Sequence, residues 1–119
     1  MILYHGTTSQ RLYSILEKGL LPRKNNRSSN VLRNGKRISV VCLTSSQKIA
    51  NYFANRKCLK ENGFPIILKM QINKEKLLSA IDFKLNIYLF ASPKKINSFS
   101  YLNGKILKTE QLLKFFYKE

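Results

Sequence analysis

Acidic residues are scarce in this 119-residue chain: Glu17, Glu61, Glu75, Asp82, Glu110 and Glu119 stand against 22 lysines and arginines. Any chemistry that needs a carboxylate therefore has a short candidate list. His5 is the only histidine, and Cys42 and Cys58 are the only cysteines. Two thiols without a CxxC spacing and one imidazole make neither a zinc site nor a disulfide framework. No metal is expected, and both thiols are expected to be reduced. No apolar run approaches the roughly 20 residues of a membrane span. The first residues lack a basic segment followed by an apolar stretch, so no secretory leader is expected. The expected place is the cytoplasm, or a host cytoplasm into which an effector or toxin is delivered. Internal repeats and low-complexity linkers are also missing.

What is present is an apolar content of 44%, enough for a core, in a length that suits a single domain over residues 1–119. A monomer is expected. The net charge is +16. A domain this small and this basic attracts polyanions, with nucleic acid the natural candidate. A composition rich in lysine, asparagine and isoleucine, of the kind an AT-rich genome produces, would give the same charge without a partner.

Periodicity predicts a strand ending at His5-Gly6, then a helix capped by Thr8 or Ser9 with Leu12, Ile15 and Leu16 on one face. Gly19 is its expected stop. Residues 20–37 read as a basic loop carrying Arg23, Lys24, Arg27, Arg33, Lys36 and Arg37, too long to be a plain connection. Residues 38–44 read as a buried strand. Ser45 or Ser46 is expected to cap a second helix with Ile49, Tyr52 and Phe53 inward, fraying into a polar stretch from Asn55 to Gly63. Strands are expected over residues 66–72, 81–83 and 86–90, with a helical turn at 74–78 and Ser92-Pro93 as a break. One or two more strands are expected within 96–107. Thr109-Glu110 opens a final helix bearing Leu112, Leu113, Phe115 and Phe116. The order implies an α+β domain.

Three blocks carry a family resemblance. Leu3-Tyr4-His5-Gly6-Thr7, with Leu12, Ile15-Leu16 and Gly19-Leu20, resembles the opening of the ADP-ribosyltransferases of the diphtheria-toxin and poly(ADP-ribose) polymerase type. Val41-Cys42-Leu43-Thr44 followed by Lys48-Ile49-Ala50-Asn51-Tyr52-Phe53 resembles that family's next strand and helix. Asn86-Ile87-Tyr88-Leu89-Phe90, with Tyr101-Leu102 downstream, resembles its catalytic strand and exit. The resemblance spans nearly the whole chain. It implies a split β-sheet core flanked by two or three helices, NAD as substrate, and transfer of ADP-ribose to a macromolecular acceptor, protein or nucleic acid.

The chemistry breaks the bond between nicotinamide and ribose through an oxocarbenium-like transition state, as in glycoside cleavage. The leaving group is already cationic, so the protein must grip the carboxamide, hold the ribose and exclude water. Gly6 suits the grip, because its backbone can approach closely without a Cβ. By the resemblance, His5 bonds the adenosine ribose and Tyr52 stacks on nicotinamide. Thr7, Thr8, Cys42 and Ser45 are further residues of the NAD site. Arg23, Arg27 and Arg33 are expected at the acceptor or a phosphate. Ile87 stands where the family carries its catalytic glutamate. That departure implies a single transfer rather than chain extension, with Asp82 or Glu110 as a replacement carboxylate. Two alternatives stay open. The RNA 2′-phosphotransferases share the Tyr-His-Gly-Thr opening and the residues Pro65-Ile66-Ile67-Leu68-Lys69, but they carry paired histidines that this chain lacks. A catalytically inactive module that binds NAD or nucleic acid is the other.

Overall fold

A computed structural model describes residues 1–24, 32–33, 36–82, 87–108 and 110–112. In chain order its elements are β1 (Ile2–Thr8), α1 (Ser9–Lys18), β2 (Arg23–Lys24), β3 (Leu32–Arg33), β4 (Lys36–Arg37), β5 (Ser39–Leu43), α2 (Gln47–Glu61), β6 (Pro65–Gln71), a 3₁₀ turn (Lys74–Lys76), β7 (Leu78–Asp82), β8 (Ile87–Ser92) and β9 (Ser100–Asn103). This is an α+β fold. One antiparallel sheet has the order β1-β6-β9, a second has the order β2-β5-β8-β7, and β3-β4 form a separate ribbon.

The two large sheets touch at a single bridge. Tyr4 and Thr44 exchange backbone hydrogen bonds of 2.7 and 2.9 Å. Away from that bridge no further pairing joins β1 to β5 among the described residues. Beyond the bridge the two strands leave an unpaired gap between them.

Alternation along β1 decides what lies on each side of its sheet. Leu3 meets Leu68 and Met70 of β6, Val41 and Leu43 of β5, and Ile15 of α1 in the main core. Helix α2 packs on β1 and β6. Its backbone comes so close at Gly6 that a Cβ there would lie 2.0 Å from the Ala50 carbonyl oxygen and 2.7 Å from the Ala54 nitrogen. The glycine is thus required by helix–strand spacing as well as by any ligand. A smaller core of Val40, Leu89 and Ala91 collects Phe53 of α2 on the face of β5 that also carries Cys42.

The helices begin and end for local reasons. Ser46, rather than Ser45, caps α2: its Oγ accepts from the Ile49 N–H at 3.2 Å. Thr8 sits at the cap position of α1 without making a capping bond. Gly19 ends α1 with φ of +85° and donates its N–H to the Ile15 carbonyl.

Several expectations are corrected. Strand β1 runs on to Thr8, because its register with β6 continues to Thr8↔Pro65. Leu16 is not on the inward face of α1 but is 52% exposed, while Leu12 and Ile15 face the core. Segment 20–37 is not all loop, since β2, β3 and β4 lie in it. Helix α2 does not fray at Asn55 but continues to Glu61. Buried Asn55 is held by donating to the Asn51 and Lys105 carbonyls and accepting from the Leu107 N–H, each at 2.8 Å. Strand β7 starts earlier than the expected 81–83, at Leu78. Leu113, Phe115 and Phe116 lie outside the described residues.

Candidate functional site

The gap between β1 and β5 is where polar groups gather. In an antiparallel strand, alternate residues present their backbone groups to the same neighbour. Tyr4 faces β5 with both its N–H and C=O, so Gly6, two residues on, presents its own pair into the gap. Cys42 stands in the matching place on β5, two residues before Thr44. Its carbonyl is reached by a side chain instead of a strand: His5 Nδ1 lies 2.8 Å away. A carbonyl only accepts, so Nδ1 carries the proton and Nε2 keeps its lone pair. Lys57 of α2 completes the arrangement. Its ammonium donates to the Gly6 carbonyl at 2.7 Å and lies 3.4 Å from His5 Nε2.

Electrostatics keep the imidazole neutral. Burial, aided by the Lys57 charge and then by Arg11 and Arg23, lowers the His5 pKa to about 3, against the opposing bond to Cys42. Burial and the Arg11 charge lower Lys57 to about 8. Glu61 is the acid of the cluster. Arg11 forms an ion pair with it, and the Thr8 hydroxyl donates to it at 3.0 Å. These bonds, with the Arg11 contact foremost, hold the Glu61 carboxyl below its ordinary value. Among the described residues no three His, Cys, Asp or Glu side chains gather as a metal cluster.

The residues expected to act together divide into three groups. His5, Gly6 and the Cys42 carbonyl meet in the gap. Thr8 donates to Glu61 beside it. Thr7 is 1% exposed and belongs to the interior, whereas Ser45 is exposed at the entry to α2. Tyr52 corrects an expectation. It is 0% exposed, with its ring centroid 5.7 Å from that of Phe53 and the Arg56 guanidinium 5.9 Å from it. A ring sealed in protein presents no face to nicotinamide in this conformation. The Tyr52 ring lies beside that of Phe53, which packs on the second core.

Ile87 opens β8, and its register partner is Asp82 of β7. Glu110 is exposed in the last described turn. Arg23 pairs with Val40 in the second sheet. Arg27 lies outside the described residues, and Arg33 is described only as part of β3. Sequence reasoning missed Lys57, Arg11 and Glu61. The one signal for Lys57 was its place four residues after Phe53, the spacing of one helical face.

Comparison with protein-family models, with curated proteins and with solved structures returns no match for this chain. Among the described residues no helix is long and apolar enough to cross a membrane.

Proposed function

We propose that the chain binds NAD in the gap between β1 and β5 and transfers one ADP-ribose to a macromolecular acceptor. The observation that carries this reading is the Gly6 backbone facing a gap that His5 lines in a fixed, neutral tautomer. Gly6 offers the N–H and C=O that a carboxamide needs. The carboxamide amine would take the Gly6 carbonyl in place of Lys57, and a ribose hydroxyl would donate to His5 Nε2. A neutral imidazole is suited to this accepting role, which a protonated ring could not fill. In the transfer, the bond from ribose C1′ to the pyridinium nitrogen breaks, and its electron pair leaves with nicotinamide. An acceptor oxygen or nitrogen forms the new bond to C1′, and its proton passes to solvent.

Tyr52 enters this reading as a support beneath α2 and no longer as a stacking platform. With Ile87 where the resemblance puts the family's glutamate, the chain is limited to single transfer. Asp82 is the acid to test first as its replacement, because it pairs with Ile87 in the register. The buried Tyr52 and the apolar Ile87 also favour a second reading, in which NAD is bound and never cleaved.

Incubation with NAD labelled in its adenine, together with cell lysate, separates these readings. The proposal expects label on a macromolecule and release of nicotinamide, both lost in His5→Ala. Removal of the label by protease or by nuclease identifies the acceptor class. NAD binding without nicotinamide release supports the binding module. Unchanged activity in His5→Ala contradicts the site.

A further inference from the structure

We infer that Lys57, Arg11 and Arg23 form a binding site for a dianionic phosphate group at the mouth of the β1–β5 gap. Three elements bring these cations together. Arg23 on β2 is the register partner of Val40, and cross-strand partners share a face. Cys42 lies on that same face of β5, against which Phe53 of α2 packs. Lys57 follows Phe53 by one helical turn and reaches β1 at Gly6. Arg11 approaches from α1, through its pair with Glu61.

The charges of this cluster do not balance. Both hydrogen-bond partners of Lys57, the Gly6 carbonyl and His5 Nε2, are neutral. The groups that face it are His5 of β1, Arg11 of α1, Arg23 of β2, Cys42 of β5 and Glu61 of its own helix. Glu61 is already held by Arg11 and Thr8. Among the described residues three cations thus share the Glu61 carboxylate and the Cys42 thiol, and the innermost cation is half-buried, where unbalanced charge is costly. A phosphate monoester carries close to two negative charges at neutral pH and accepts several hydrogen bonds at once. Arg11 and Arg23 stand on the solvent side, where such a group would enter.

The depressed Lys57 pKa gives the site a signature. A dianion favours the ammonium, so binding draws a proton onto Lys57. With a free value of about 8, the lysine is mostly charged at pH 7 and about one-tenth charged at pH 9, so affinity falls roughly tenfold between them. His5, lowered to about 3, and Glu61, held below its ordinary value, lie outside that window, and a Cys42→Ser background takes the facing thiol out of the comparison.

The site does not depend on NAD as the ligand, and the probes keep the two ideas apart. Calorimetry with sulfate, a dianion that does not titrate in this range, reads affinity and proton uptake. Inorganic phosphate and ADP-ribose then show whether a free phosphate or a nucleotide diphosphate is preferred. The expected result is sulfate binding that weakens about tenfold from pH 7 to pH 9, and at least about tenfold weaker binding in Lys57→Met. Lys57→Arg keeps the charge, so it should bind sulfate with the pH dependence gone, and it serves alone if the methionine variant does not fold. Wild-type affinity in Lys57→Met, or retained pH dependence in Lys57→Arg, overturns the site. Sulfate and phosphate binding without NAD binding leaves it standing and removes the NAD reading. NAD binding together with wild-type sulfate affinity in Lys57→Met removes the phosphate site and spares that reading.

Discussion

His5 ties the gap to the acid stability of the molecule. Its folded pKa is lowered to about 3 from 6.5, first by burial and then by Lys57. Between those values the unfolded chain binds a proton that the folded chain refuses. Stability is therefore complete above pH 6.5 and falls as pH drops through the window, by at most about 1.4 kcal/mol per pH unit from one such group. Glu61, held low by Arg11, loses its stabilising form only at more acidic pH. Urea unfolding between pH 7 and pH 5 isolates the imidazole. The wild type should lose stability across that range, and His5→Gln should lose distinctly less. Parallel curves would mean that His5 is protonated as freely in the fold as out of it. Residue by residue, the single histidine next to a glycine, singled out by the resemblance, stands where the structure leaves β1 unpaired with β5. The sequence was silent at Lys57, because one lysine in a chain of charge +16 carries no contrast.

At the scale of elements, α2 packs tightly on β1 beside the gap. The helix backbone lies against Gly6 with no room for a side chain. Gly6→Ala forces α2 outward or shifts the strand, an overpacking expected to cost about 1–3 kcal/mol and to lower Tm by on the order of 5 °C or more. A thermal melt checks this, and an unchanged Tm would show that the helix is free to move off the strand. The strands β1, β5 and β6 were legible because each is an apolar run with a clear stop. The full length of α2 was not. Asn55 and Lys57 look like solvent-facing residues in a polar stretch, yet both point to backbone partners outside their helix: Asn55 to Lys105 and Leu107, and Lys57 to Gly6. Periodicity reads apolar faces, and here the helix spends part of its inner face on hydrogen bonds. The assignment of Tyr52 as a ligand platform meets a buried ring, for the opposite reason. Its position was read correctly as inward, but inward proved to be core.

For the whole molecule, two sheets meet at the Tyr4–Thr44 bridge, and the unpaired wedge beside it holds the His5–Cys42 and Lys57–Gly6 hydrogen bonds. The α+β class was legible from the order of elements, whereas the expectation of a divided sheet came from the family resemblance. The pairing that makes the wedge was not legible, since it depends on a long-range register that local patterns do not encode. The wedge is offered as the NAD site, and one measurement addresses that directly: titration of the ¹⁵N-labelled protein with NAD at pH 7, followed by amide resonances. The account predicts saturable shifts at His5, Gly6 and Cys42, lost in His5→Ala. Saturable NAD binding that leaves those three amides unmoved, or no binding at millimolar NAD, would contradict it.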